Sequence, residues 1–115
     1  MRMNHTIEDL HKLIAPKQPS KIGRVLHELV KGQSLNRFEA ERQLHDHTLN
    51  STISDLANEW GVRVRRVREQ VPGYGGQLVS CVRYSLELDT QNLKLCYQCL
   101  SRIGYANSCE TIELF

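Results

Sequence analysis

Residues 61–76 read GVRVRRVREQVPGYGG, a stretch that sets Arg63, Arg65, Arg66 and Arg68 against the single acid Glu69. Guanidinium groups packed this densely can each neutralise a phosphate. Every such contact with a nucleic-acid backbone adds roughly one unit to the slope of log affinity against log salt. Val62 and Val64 alternate with Arg63 and Arg65, which is strand periodicity, so Arg63 and Arg65 share a face. Arg83, on the strand expected to return at 77–88, can lie beside them. Tyr74 stands among Pro72, Gly73, Gly75 and Gly76, a tip suited to entering a minor groove or to stacking. A basic edge strand that repels pairing with other sheets is the competing use of such residues. That use explains one or two arginines more naturally than four.

The preceding segment has the opposite character. Residues 44–60 carry Asp46, Asp55 and Glu59 and no Lys or Arg, so charge is sorted along a chain whose net charge is only +2. A helix that turns Leu49, Ile53, Leu56 and Trp60 inward puts His47, Thr48, Ser51, Ser54, Asp55 and Asn58 on its outer face, with Asn50 near its start. Short polar side chains can approach base edges. Asn pairs with adenine through two hydrogen bonds and Asp accepts from cytosine, although phosphates repel it. The same face can equally be a solvated surface or one that meets a protein. Asn36 and Arg37 open the helix before it, where exposed amides attract phosphate; capping alone also accounts for Asn36.

Other chemistry finds less support. Cys96 and Cys99 form C-x2-C, with Cys81 and Cys109 elsewhere, and four thiolates suffice for zinc. The pair lies inside a periodic helix without a second C-x2-C, so buried thiols and no metal are expected. His45 and His47 flank Asp46 in a turn that can orient a general base. No nucleophile motif, phosphate loop or carboxylate pair accompanies them, so no enzymatic activity and no cofactor are expected.

These groups need elements to hold them. At 115 residues the chain suits one core. Thr6 and Asp9 cap a short helix bearing Ile7, Leu10, Leu13 and Ile14, which APKQPS at 15–20 breaks. Ser20 precedes the stripe Ile22, Val25, Leu26, Leu29 and Val30, ended by Gly32. Asn36 and Glu39 form a capping box for a helix from Arg37 to Leu44, with Phe38, Ala40 and Leu44 inward. The Leu49–Trp60 helix stops at Gly61. The alternation in the first strand slips at Arg66, which predicts a bulge or the strand's end. Leu78, Ser80, Val82, Tyr84 and Leu86 share one side of the second strand. Asp89 or Thr90 caps a last helix with Leu93, Cys96, Tyr97 and Leu100 on one face, and Ile112 and Leu114 alternate in a tail that can add a short strand.

The stretch RVLHELVKGQSLNRFEAERQLHDHTLNSTISDLANEWGVRV, residues 24–64, resembles the short helix-turn-helix domain found in many phage and prophage genes. Leu35, Asn36, Arg37, Ala40 and Glu41 match its second-helix motif, and Leu49, Ile53, Leu56 and Gly61 its third-helix rhythm. The resemblance implies a DNA-binding module in a phage or prophage regulator. The expected fold is therefore α+β, mainly α: a winged helix-turn-helix at 20–88, a helical arm and linker at 1–19, and a C-terminal helix and tail at 89–115. Double-stranded DNA is the expected partner in the cytoplasm. Helix 3 would enter the major groove, Arg37 and the hairpin arginines would hold phosphates, and no membrane would be involved. The apolar faces of the flanking helices (Ile7, Leu10, Leu13; Leu93, Tyr97, Leu100) offer a homodimer contact. The alternative is a phage-encoded inhibitor that turns the same fold, through its acidic polar helix, against a host protein.

Overall fold

The computed structural model describes Leu10 and residues 12–106. Its elements are α1 (Lys21–Val30), α2 (Arg37–Leu44), α3 (Leu49–Trp60), the antiparallel strands β1 (Val64–Pro72) and β2 (Leu78–Leu86), and α4 (Thr90–Arg102). The fold is thus α+β, four helices and one hairpin among the described residues. None of these helices is long and apolar enough to cross a membrane.

Local chemistry sets the helix boundaries. The Ser20 hydroxyl accepts from the Gly23 N–H at 3.1 Å, and Val25, Leu26, Leu29 and Val30 of α1 form the centre of the core. The capping box of α2 is complete: Asn36 accepts from the Glu39 amide at 2.9 Å, and Glu39 accepts from the Asn36 amide at 3.1 Å. Helix α3 buries Leu49, Ile53 and Leu56, with Trp60 half-buried, and closes at Gly61 in the left-handed region (φ 71).

The start of α3 depends on a residue outside it. Thr48 makes no side-chain cap; the fully buried Asp46 carboxylate accepts from the Thr48 amide at 2.9 Å and from the Thr52 hydroxyl at 2.8 Å. Lys21 stands 3.8 Å away. The His-Asp-His turn is therefore a structural device, with His47 meeting Glu41 at 2.7 Å. Asp46→Ala leaves a buried hydroxyl and an amide short of an acceptor. It is expected to lower stability by about 2 kcal/mol, read by urea or thermal unfolding.

The hairpin runs in unbroken register from Val64↔Leu86 to Pro72↔Leu78. Neither the bulge nor the strand end expected at Arg66 occurs. Directly opposed residues share a face, so Val64/Leu86, Arg66/Tyr84, Arg68/Val82, Gln70/Ser80 and Pro72/Leu78 lie on one side. Only the base of that side meets the core, where Tyr84 and Leu86 are buried. Further out the strands leave the protein body, and the position that Val64 begins is taken up by Arg66 and Arg68. The burial of β2 fades in the same direction, with Ser80 and Leu78 exposed. On the far edge of β2, Leu35 and Tyr84 exchange backbone hydrogen bonds at 2.9 and 2.8 Å, which ties the α1–α2 connection to the hairpin.

Helix α4 covers α1 and holds the base of the hairpin. The fully buried Asn92 accepts from the Arg63 amide at 2.7 Å and donates to the carbonyls of Arg63 and Glu87 at 2.8 and 2.7 Å. Leu93 and Leu100 are buried within the chain, as are Leu10 and Leu13, while Tyr97 is half-buried. Ile14 is not on a helix; it bridges Ala106 through backbone bonds of 2.7 and 3.2 Å. The expected helix start at Thr6 to Asp9, with Ile7, lies outside the described residues, as does the Ile112–Leu114 strand.

Candidate nucleic-acid interface

The candidate cations divide into two classes according to what surrounds them. Arg83, half-buried, is held by two carboxylates of the fold. It donates from Nε to both Glu69 oxygens (3.0 and 3.1 Å), from Nη1 to Glu39 (2.9 Å) and Ser34 (2.9 Å), and from Nη2 to Glu39 (3.0 Å). Its hydrogen bonds hold both glutamates below the ordinary carboxylate pKa, and they in turn raise that of Arg83. Asn36 belongs to the same network. It is buried, and its side-chain amide donates to Glu69 at 2.9 Å. Arg63 donates from Nη2 to both oxygens of Asp89, the N-cap of α4, whose pKa falls for that reason. Asn36, Arg63 and Arg83, all expected to reach a phosphate, thus have polar atoms already engaged in hydrogen bonds that bridge elements of the fold.

Arg65, Arg66 and Arg68 are exposed. Register separates them: Arg65 lies on the side of Ser85 and Val67, whereas Arg66 and Arg68 lie on the side of Tyr84 and Val82. The Arg66 guanidinium stands 5.9 Å from the Tyr84 ring centroid, a cation–π distance that fixes its direction. Arg68 lines a cleft of about 390 Å³ together with Arg37 at the start of α2 and His47, Leu49 and Asn50 at the start of α3. Ser80, Cys81, Val82 and Tyr84 complete its wall. Three elements thus bring two guanidiniums, an imidazole and a carboxamide to one surface. Thr48, Ser51, Ser54, Asp55 and Asn58 are all exposed on α3, as its periodicity predicts. Tyr74 is fully exposed at the hairpin tip.

No known protein family, curated protein or solved structure matches this chain.

Among the described residues no group of three His, Cys, Asp or Glu side chains gathers as a metal site. Cys81, Cys96 and Cys99 are buried, and Cys109 lies outside the described residues. Burial pushes the Cys96 and Cys99 thiols up to about 12, so both stay protonated, and poor nucleophiles, at neutral pH. Residue-resolved alkylation at pH 8 should leave both unmodified until denaturant is added.

Sequence reasoning missed the residues that hold the elements around the candidate interface. Asp46, Asn92, Glu39 and Glu69 are polar residues in ordinary surface-like contexts, and their partners lie 2 to 44 positions away. Only the Asn36–Glu39 spacing carried a local signal. Ser80, which shares one side of β2 with Leu78, Val82, Tyr84 and Leu86, faces the cleft.

Proposed function

We propose that the protein binds double-stranded DNA in the manner of a winged helix-turn-helix regulator of phage or prophage type. Helix α3 is the base-reading element and the hairpin the wing. The observation that carries this reading is the shared cleft, in which Arg37, His47, Asn50 and Arg68 converge from α2, α3 and β1. Helix α2 has its N-terminus at that cleft, where amides and partial positive charge favour an anion. Further support comes from the order of elements, three helices followed by a hairpin, and from the Leu35–Tyr84 bridge that joins the hairpin to the α1–α2 connection. The residues of α3 leave its outer face free of bulky side chains, which a helix needs in order to sit in a major groove about 12 Å wide.

The test is a titration of labelled duplex DNA at about 50 and 200 mM salt. Binding that weakens steeply with salt supports the reading, and absence of binding at the lower salt sinks it. Arg63→Ala serves as a control. Because Asp89 holds that guanidinium, its loss should change the salt slope by well under one unit.

One observation favours a second reading. Helix α3 has no Lys or Arg and exposes Asp55 and Glu59, a pattern that suits a basic surface on a host protein better than it suits phosphates. An inhibitor of this kind would leave duplex DNA alone at any salt.

A further inference from the structure

Resting on the duplex-binding reading, we infer that the hairpin tip is an apolar wedge that enters the minor groove and unstacks a base step. The face of the hairpin that carries Arg66 and Arg68 continues outward through Gln70/Ser80 to Pro72/Leu78. At its far end the chemistry changes. Leu78 is 65% exposed and Tyr74 102% exposed, so two large apolar side chains occupy the most solvent-facing part of the element. A wing that only neutralised phosphate would gain nothing from a leucine there, whereas minor-groove architectural proteins insert Leu, Phe or Pro between bases.

The tip is also shaped for insertion. Gly73, Gly75 and Gly76 present no side chains, and Gly75 and Gly76 take positive φ (74 and 82) that other residues resist. Gly73 donates to the Gln77 carbonyl at 2.6 Å and Gly76 to the Gly73 carbonyl at 3.2 Å, which closes the loop on itself. A Cβ at Gly73 would fall 2.3 Å from a Val79 methyl, so this narrowness is built into the backbone. From the Arg68/Val82 pair at the cleft to Pro72/Leu78 is four residues, about 13 Å of strand. Neighbouring grooves lie roughly 17 Å apart, half of a ~34 Å helical turn. With α3 at the major groove, Tyr74 and Leu78 therefore arrive near the adjacent minor groove, and Arg66 and Arg68 cross the backbone between.

The experiment uses duplexes selected by the full chain from a random pool, with 2-aminopurine substituted at successive positions and dyes at the two ends. The wild-type protein should raise 2-aminopurine fluorescence several-fold at one or two adjacent positions and report a bend of about 20–90°. Leu78→Ser and Tyr74→Ser, at exposed sites that leave the fold intact by thermal unfolding, should each diminish both signals and weaken binding with an unchanged salt slope. Leu78→Met should retain them. Binding with no unstacking at any position, or with unstacking indifferent to Leu78→Ser, overturns the wedge and leaves duplex binding standing; it would point to an apolar socket on a protein as the tip's partner. Failure to recover or bind any duplex at low salt overturns both.

Discussion

Replacing Arg66 and Arg68 together by alanine should weaken duplex binding by about 10- to 100-fold and take roughly two units off the salt slope, with no change in thermal stability. Among the described residues neither guanidinium has a carboxylate partner; Arg66 donates to the Val64 carbonyl at 3.4 Å and lies over Tyr84. Removing them therefore unpairs no acid and empties no core position. Arg65→Ala, on the opposite side of the hairpin, should cost markedly less. Anisotropy titrations across a salt series read both numbers at once. An Arg66/Arg68 double variant that binds like the wild type would remove the wing from the interface.

The second large effect concerns folding. Arg83→Met should destabilise the protein by on the order of 2 kcal/mol, between the 3–5 of a fully buried pair and the under 1 of a surface pair. The Arg83 side chain is 29% exposed, and it is the counter-charge that Glu39 and Glu69 share. In a domain of this size, this amounts to a fall of about 5–10 °C in Tm. The pH dependence is the more discriminating signature. Hydrogen bonds from Arg83 hold both glutamates below their ordinary pKa of 4.5, so they release protons more readily in the folded chain than in the unfolded one. Their stabilisation is fully present above about 4.5 and is lost as pH falls through the folded values. In Arg83→Met the two carboxylates face each other without a cation. Mild acid, by neutralising one of them, should then narrow the gap to wild type. Unfolding curves at pH 7 and pH 4 check this, and an equal deficit at both would mean that the ion pairs contribute nothing. Because the network joins α2 to the hairpin, the same variant should also weaken duplex binding without altering the salt slope.

Short-range patterns were legible because their causes are short-range. Asn36 and Glu39 are three residues apart, and a capping box needs nothing beyond the turn it closes. Leu49, Ile53 and Leu56 lie on one face of α3 whatever else the chain does. The outer set His47, Thr48, Asn50, Ser51 and Ser54 followed from that geometry. Strand parity likewise put Arg63 and Arg65 together. It misled at Arg66, since periodicity assumes that an apolar face stays on the core, and this hairpin outruns its core.

What the sequence determined on its own is the order of the elements, the caps and stops of its central helices, their inward stripes and the concentration of arginine in one hairpin, because periodicity, caps and glycine stops act within a few residues. The tertiary structure decided which arginines are available. Arg63 meets Asp89 across 26 positions and Arg83 meets Glu39 across 44, so those cations became struts, while Arg66 and Arg68 remained exposed beside α3. A guanidinium goes to the nearest well-placed carboxylate, and nearness across the fold depends on how helices and strands pack, which no local pattern encodes.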